Sequence, residues 1–359
     1  MPQPNAPEPP ASRMLVAATV SFYLVAAIAM VLANKWVLDK TTLPLFFLFV
    51  QLDIAVILLF VAHLCGLLRL PARLDLGVMR GLAPLVAINV LGLTFNNYTL
   101  KFVDASFYQV ARGMVLPLTV GISFIALHAR PSLRVLIACG IVTCGFLVGV
   151  LLDRTYSSSP DAPPTHYSYL GVFFGILSSC TTALHAVVIK RSLDIVHGSA
   201  LELAWYSNLL SAIALIPLVL LAGEGPGIIE LLSGNAAVVG TGSSFSALKT
   251  FVWGSLITGV IGFLICMAGF LSIKVTSPIT HMISSAVRGV LQSILSIWLF
   301  HDIITSGRAA GIALILLGSI YYTWVRNLES QPKAEPAKGT YEQVPMKDIE
   351  EGEPRRDLD

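Results

Sequence analysis

The chain has 359 residues, of which 55% are hydrophobic and only 12% are charged, and its formal net charge is +2. This composition excludes an ordinary soluble domain and a strongly basic nucleic-acid-binding protein, and it indicates an integral membrane protein. Helix-length apolar runs recur without the alternating pattern of strands, which excludes a transmembrane β-barrel.

Apolar segments long enough to cross about 30 Å of hydrocarbon, which takes roughly 20 residues in a helix, recur along the whole chain. They lie at residues 14–34, 45–68, 80–100, 105–127, 133–152, 167–189, 203–222, 250–272, 278–300 and 307–326. The sequence therefore predicts an all-α integral membrane protein with ten transmembrane helices. The stretch 1–12 is rich in proline, and the stretch 328–359 carries many charges and has no apolar face, so both are predicted to be disordered tails.

Lysine and arginine residues are distributed unevenly between the predicted loops. With both termini in the cytosol, the cytosolic side carries 15 of them and the opposite side six, with two left inside the membrane. Because cytosolic loops carry an excess of positive charge, both termini are predicted to be cytosolic. All five cysteines lie in apolar segments and the histidines form no ligand-spaced cluster, so no metal and no other cofactor is predicted.

Arg112 and Arg288 lie inside apolar segments, at matching points of the two halves of the chain. The fourth segment reads ARG around Arg112, and the ninth reads VRG around Arg288. Because a repeated unit of five helices enters the membrane in opposite orientation, this match predicts two inverted five-helix repeats, as in many secondary transporters. The repeats are 13–152 and 167–327, joined by a luminal connector at 153–166.

A charge at the centre of a bilayer helix costs roughly 2.5 to 3.5 kcal/mol, so we expect the two arginines to have a function or a partner that offsets this cost. Arginine keeps its proton when desolvated and donates forked hydrogen bonds to phosphate, which predicts that Arg112 and Arg288 bind an anionic cargo near the midplane. The alternative is a structural ion pair with Asp53 in the second segment. Because Asp53 is one acid and the arginines are two, that alternative leaves one arginine without a partner.

Several polar residues near the arginines are further candidates. Tyr108 shares a helix face with Arg112, one turn away, and is predicted to line the same cavity. Asn96 and Asn97 are adjacent amides within a span, where substrate contact and interhelical hydrogen bonds are both open. Four more residues are candidates for lining the cavity or for gating: Lys101, Lys274, Asp53 and Tyr23. The two lysines could instead extend their charges to the membrane surface.

Two longer runs carry a resemblance to a known family. The run TFNNYTLKFVDASFYQVAR at 94–112 resembles the third and fourth helices of GDP-fucose transporters, and KVTSPITH at 274–281 is similar to their junction of helices eight and nine. Smaller matches lie at 34–35, 139–146 and 322–326. These transporters belong to the nucleotide-sugar and triose-phosphate transporter family of the drug/metabolite transporter superfamily. The resemblance covers nearly the whole membrane core, except the tails and residues 223–249.

The resemblance implies a Golgi transporter and not an enzyme. It implies that the chain exchanges a cytosolic GDP-sugar, above all GDP-fucose, for luminal GMP by alternating access. A UDP-sugar transporter, such as a UDP-galactose form, and a sugar-phosphate translocator of the same superfamily are the alternatives. A homodimer and a location in the endoplasmic reticulum are also left open, and no nucleic-acid partner is expected.

The resemblance also implies where the substrate binds. Family members that carry GDP-sugars hold guanine with an aromatic and asparagine motif on helix seven, and the similar run here is WYSN at 205–208. A small-residue motif on helix nine meets the sugar and phosphates, and here it reads SSAVR at 284–288. Serine at 207 and arginine at 288 depart from the asparagine and lysine of the family. The implied site residues are Tyr206, Ser207, Asn208, Ser284, Ser285 and Arg288.

The paired arginines also suggest why such a carrier would exchange rather than leak. Two positive charges about 10 Å apart repel by roughly 1.7 kcal/mol at an effective dielectric of 20. Closing an empty site must also desolvate both charges. Occlusion is therefore predicted to be favourable only with an anion bound, so that the carrier returns loaded.

Overall fold

The computed structural model describes residues 13–71, 74–128, 130–157, 168–233, 247–275, 278–302 and 304–330. Within them, side chains are described except at 13, 15–17, 19, 127, 155–157, 186, 190, 200, 266–275, 278–288 and 330. Both predicted tails lie outside these ranges, apart from 328–330. The described backbone forms α-helices and no strand.

The helices follow the predicted apolar segments closely. They are α1 (Arg13–Lys40), α2 (Pro44–Leu64), α3 (Leu76–Phe102), α4 (Tyr108–Ala111), α5 (Val115–Leu127), α6 (Leu133–Ser157), α7 (Tyr169–Ile195), α8 (Ala200–Leu221), α9 (Gly225–Leu232), α10 (Ala247–Val275), α11 (Pro278–Phe300) and α12 (Ser306–Ser330). In the described part, nine segments are long and apolar enough to cross a membrane, and α11 adds the shorter apolar segment Gly289–Phe300. This agrees with the predicted all-helical, multi-pass membrane protein.

The fourth predicted span is interrupted, whereas the sequence interpretation treats 105–127 as one helix. α4 ends at Ala111, Arg112 has non-helical backbone angles, and α5 begins at Val115. Pro117 explains the break, because it has no N–H to donate to the carbonyl of Gly113 and its ring crowds that carbonyl. The break places Arg112 at the junction of two short helices.

Other helices extend past the predicted segments where their charged residues find partners. α1 continues past residue 34 because Lys35 donates to the carbonyls of Leu100 and Val103, 2.9 and 2.8 Å away. α6 continues past residue 152 with Asp153 fully buried in an ion pair. α12 runs to Ser330, into the stretch predicted as a tail, and α9 lies in the predicted loop between α8 and α10.

Helix packing shows a two-fold pattern. Three kinds of contact occur twice: α1–α10 matches α7–α3, α2–α10 matches α8–α3, and α1–α11 matches α7–α5. The pairs α2–α8 and α6–α12 also pack together, and each joins matching helices of the two halves. Exchanging α1 with α7, α2 with α8, α3 with α10, α5 with α11 and α6 with α12 reproduces the same set of pairs.

The pair α6–α12 packs through glycines. A Cβ added at Gly311 would lie 2.7 Å from the Cα of Gly149 and 2.9 Å from the carbonyl oxygen of Gly145. Such distances require the absence of side chains at this crossing. Gly121 and Gly140, by contrast, face open space.

Candidate substrate site

A cavity of about 190 Å³ lies between α3, α7 and the junction of α4 with α5. Its lining consists of Ile88, Asn89, Gly92, Leu93, Asn96, Arg112, Thr181, Thr182 and His185. Six of these nine residues have polar side chains, which is unusual inside a bundle of apolar helices. The cavity is therefore suited to a polar ligand.

Close backbone contacts bring the walls of the cavity together. A Cβ added at Gly92 on α3 would lie 3.2 Å from the hydroxyl of Thr181 on α7. One added at Gly175 on α7 would lie 2.8 Å from the Cβ of Ala111, the last residue of α4. Because Arg112 follows Ala111 directly, this second contact holds the arginine beside α7.

Arg112 is held by a short chain of hydrogen bonds. Its Nη1 donates to the hydroxyl of Tyr108 at 2.8 Å, and its Nη2 donates to the hydroxyl of Thr182 at 3.4 Å. The Tyr108 hydroxyl in turn donates to Oδ1 of Asn96, 2.5 Å away. The guanidinium carbon also lies 5.4 Å from the centre of the Tyr108 ring. The structure thus brings together three residues that the sequence singled out.

No described carboxylate neutralises Arg112. Ion pairs among the described residues involve other cations, and the buried Nε of Arg112 has no hydrogen-bond partner there. A half-buried guanidinium that only neutral hydroxyls contact keeps donors that no carboxylate satisfies. This arrangement can accept an anionic group from the cavity.

Arg308 is a fully buried arginine, and the sequence interpretation counts it only among the positive charges on the side opposite the termini. Its side chain is fully buried, and it donates to Asp153 from Nε at 2.8 Å and from Nη2 at 3.1 Å. Its Nη1 lies 2.7 Å from Asp104 and 3.0 Å from the hydroxyl of Ser106. Two carboxylates surround this guanidinium, so Arg308 joins α6 and α12 to the loop before α4.

Glu224 and Lys101 lie at the same end of the bundle as Arg308. Glu224 accepts hydrogen bonds from the backbone N–H groups of Leu45 and Phe46 at the start of α2. Burial raises the pKa of the Glu224 carboxyl above its ordinary 4.5, while these two bonds and the charge of Lys101 oppose the rise. Lys101, a predicted gating residue, also donates to the carbonyl of Thr42 at 3.2 Å.

Asp302 lies close to the ion pairs of Arg308. It accepts a hydrogen bond from the backbone N–H of Ser106 at 2.9 Å. Burial raises the pKa of the Asp302 carboxyl, the Ser106 bond opposes this rise, and the negative charge of Asp104 adds to it. The loop before α4 is therefore held by charged side chains from two directions.

Three predicted candidates lie away from the cavity. Asn97 is 2% exposed, and its Nδ2 donates to the carbonyl of Pro44, so interhelical bonding accounts for it. Asp53 is half-buried on α2, and no described cation lies within ion-pairing distance of it. Tyr23 is half-buried on α1 and is not part of the cavity lining.

The predicted nucleobase residues on α8 face different ways. Tyr206 is 2% exposed in an apolar cluster with α3, and its hydroxyl accepts the N–H of Asp75 at 3.2 Å. Ser211 on the same helix bonds to the cavity residue Asn89. At about 100° per residue, Ser207 and Asn208 lie about 40° and 60° from Ser211, and Tyr206 about 140° away. Ser207 and Asn208 therefore share the side of α8 that meets Asn89.

The predicted residues on helix nine, and Lys274 just before it, fall where side chains are not described. Lys274, Ser284, Ser285 and Arg288 lie outside the described side chains, although the backbone of α10 and α11 is described around them. A Cβ added at Gly289 would lie 3.6 Å from Gln109, and Gln109 donates to Gln292 at 2.8 Å. α11 thus packs against α4 one turn before Arg112.

Sequence reasoning did not single out the polar wall that α7 contributes to the cavity. Thr181, Thr182 and His185 line it, and Ser178 lies one turn earlier on the same helix. Their spacing of three, four and seven residues marks one helical face. A polar stripe on an otherwise apolar helix was therefore a usable signal.

Comparisons with known proteins agree on one family. Residues 14–323 match the profile of the Triose-phosphate Transporter family. "GDP-fucose transporter 1" of Nematostella vectensis is 32% identical over 331 residues, which cover 89% of this chain and 91% of that one. The protein of that name from Mus musculus is 30% identical, covering 89% and 85%. "GDP-fucose transporter, Golgi" of Drosophila melanogaster is 28% identical, covering 86% and 89%.

Proposed function

Because the chain belongs to the triose-phosphate transporter family, we propose that it is a nucleotide-sugar transporter of the Golgi membrane that exchanges cytosolic GDP-fucose for luminal GMP. The predictions of a transporter rather than an enzyme, and of this family, are confirmed by the family match. The substrate and the compartment in the proposal follow the names of the similar proteins.

The observation that carries the proposal is that Arg112 lines a polar cavity and has no carboxylate partner among the residues that the structure describes. A nucleoside diphosphate sugar carries about two negative charges, which a guanidinium meets with short, charge-assisted hydrogen bonds. Arg308 cannot supply this charge because Asp104 and Asp153 already bind it. Arg112 is the cation available to a phosphate in the described part of the bundle's cavity.

Arg288 is the second phosphate ligand in this proposal. Its neighbour Gly289 packs against Gln109, one turn before Arg112, which supports an approach of the two arginines. Ser284 and Ser285 precede Arg288 by one helical turn and share its face. In the proposal they bond to the sugar and phosphates.

The base lies toward α8 in this proposal. Ser207 and Asn208 are on the side of α8 that meets Asn89, which favours them as nucleobase ligands. Tyr206 is packed against α3 in the described conformation, so its predicted contact with the base requires the start of α8 to move.

Alternating access is the proposed transport cycle. The two-fold pattern of helix packing supports inverted five-helix repeats, which place both termini on one side, proposed to be the cytosol. The ion pairs of Arg308 and the bonds of Lys35 tie one end of the bundle together. We assign that end to the lumen and infer that its bonds break when the site opens there.

A sugar-phosphate translocator is the second candidate function. The cavity, at about 190 Å³, is smaller than the about 300 Å³ at which pockets for drug-sized ligands begin. A single phosphorylated sugar fits such a volume more readily than a whole nucleotide sugar. A UDP-sugar carrier would need the same charge but a different base contact.

Transport by the purified protein in proteoliposomes separates these functions. Vesicles loaded with GMP should take up labelled GDP-fucose, and excess unlabelled GDP-fucose should inhibit uptake more than UDP-galactose or triose phosphate. The Arg112→Gln variant should lose uptake, whereas Arg326→Gln, an exposed arginine at the end of α12, should retain it. Stronger inhibition by UDP-galactose or triose phosphate would overturn the GDP-fucose assignment.

A further inference from the structure

The two long walls of the cavity run antiparallel, which fixes the level of each residue. Three of the contacts between α3 and α7 show this: Gly81 meets Ile195, Gly92 meets Thr181, and Phe102 meets Gly171. The numbers rise along α3 as they fall along α7. Asn89, one turn before Gly92, therefore lies level with His185, one turn after Thr181.

Arg112 meets Asn96 through Tyr108 on one side and the hydroxyl of Thr182 on the other, and that hydroxyl turns toward Ser178, away from His185. Asn96 is seven residues, or about 10 Å, along α3 from Asn89. This separation is of the order of the distance between the phosphate and the base edge of a nucleotide. A phosphate on Arg112 would therefore place the base near Asn89 and His185.

Asn89 presents an oriented acceptor to this end of the cavity. Its Nδ2 donates to the hydroxyl of Ser211 on α8 at 3.0 Å, and Ser211 is fully buried. No described group donates to Oδ1 of Asn89. With its amide nitrogen engaged, the side chain offers the cavity an oxygen that accepts hydrogen bonds.

We propose that Asn89, oriented by Ser211, selects guanine by accepting a hydrogen bond from its exocyclic 2-amino group, and that His185 supplies the surface on which the base stacks. The inference rests on the proposed transport of a nucleotide sugar and names a specificity residue of that site. Guanine carries an amino group on this edge, whereas uracil and hypoxanthine have none. The half-buried imidazole of His185 lines the cavity at the same level and makes no described hydrogen bond.

Binding of GMP, IMP and UMP to the purified transporter tests the role of Asn89. IMP differs from GMP only in lacking the 2-amino group, so the wild type should bind GMP about tenfold more tightly, because a polar group left unpaired weakens binding by that order. In Asn89→Leu, which keeps the size of the side chain but removes the acceptor, this ratio should fall close to one. Affinity for UMP should not change.

Ser211→Ala provides a second variant that keeps Asn89 but frees its amide, and Ser293→Ala on α11 is the matched control. Ser293 is also buried and donates to the carbonyl of Gly289. The GMP-to-IMP ratio should fall several-fold in Ser211→Ala and stay unchanged in Ser293→Ala. If Asn89→Leu does not fold, Ser211→Ala decides.

Two substitutions of His185 test its role in stacking. Stacking tolerates any base, so His185→Ala should weaken GMP, IMP and UMP alike, and His185→Phe should restore their binding. A wild type that prefers UMP over GMP would overturn the proposed substrate. A wild type that prefers GMP, with an unchanged GMP-to-IMP ratio in both Asn89→Leu and Ser211→Ala, would overturn this inference alone.

Discussion

The guanidinium of Arg308 binds both oxygens of the Asp153 carboxylate, with Nε 2.8 Å from Oδ1 and Nη2 3.1 Å from Oδ2. Both side chains are fully buried, and Asp104 contacts the third nitrogen of the guanidinium. The charge of Arg308 is thus neutralised inside the protein. Arg112 has no such partner among the described residues, which distinguishes a structural arginine from one that can bind a ligand.

Asp153→Asn should destabilise the protein strongly. It leaves Arg308 buried with one carboxylate instead of two, and breaking a buried ion pair costs about 3 to 5 kcal/mol. The loss should appear as a lower free energy of unfolding in detergent. Glu329→Gln, which removes a partly exposed partner of Arg326, should change stability by about 0.5 kcal/mol or less. Equal effects of the two substitutions would contradict the proposed burial.

Gly311→Ala should separate α6 from α12. The added Cβ would lie 2.7 Å from the Cα of Gly149, so the two backbones must move apart. We expect a loss of about 1 to 3 kcal/mol, the usual cost of overpacking. Gly121→Ala faces open space and should be neutral or slightly stabilising, because alanine favours a helix. Thermal unfolding of both variants checks the contrast.

Pro117→Ala should allow α4 and α5 to join. The alanine can donate to the carbonyl of Gly113, which a proline cannot. A continuous helix would turn Arg112 away from its present bonds to Tyr108 and Thr182, so GMP affinity should fall while thermal stability rises. Pro84→Ala, within the unbroken α3, serves as control and should leave GMP affinity unchanged. Wild-type affinity in Pro117→Ala would show that the break does not position Arg112.

Glu224 should make stability depend on pH. Burial raises its pKa in the folded protein, so the folded state holds this proton more tightly than the unfolded state does. Its contribution is then most favourable at low pH and is lost as pH rises from 4.5 through the raised pKa toward neutrality. The difference in melting temperature between wild type and Glu224→Gln should follow this course. Glu230→Gln, an exposed acid on α9, should leave the pH dependence of the wild type in place.

The sequence predicted the apolar helices well because span length and hydrophobicity are local properties. The break at Arg112 could also have been predicted, because Pro117 lies four residues after Gly113 and cannot donate to its carbonyl. The continuous apolar run around it instead favours a single helix. The pairing of Arg308 with Asp104 and Asp153 was not predictable in the same way. Those residues are far apart in the chain and each lies near a segment end, where a charge usually meets water.

The same distinction between local and long-range contacts applies to the candidate site. Tyr108, Asn96 and Arg112 could be grouped because they are close in sequence and share helix faces. Asn89 gains its orientation only from Ser211, a contact between α3 and α8 that no local pattern contains. Tyr206 carries a family-like motif, yet its neighbours in the fold pack it against α3.

The central claim is that Arg112 binds the phosphates of a nucleotide sugar that is exchanged for GMP. The most direct measurement is uptake of labelled GDP-fucose into proteoliposomes with and without internal GMP, for the wild type and Arg112→Gln. We predict that wild-type uptake requires internal GMP and that Arg112→Gln abolishes uptake although the variant remains folded. Equal uptake with and without GMP, or wild-type uptake by folded Arg112→Gln, would contradict the claim.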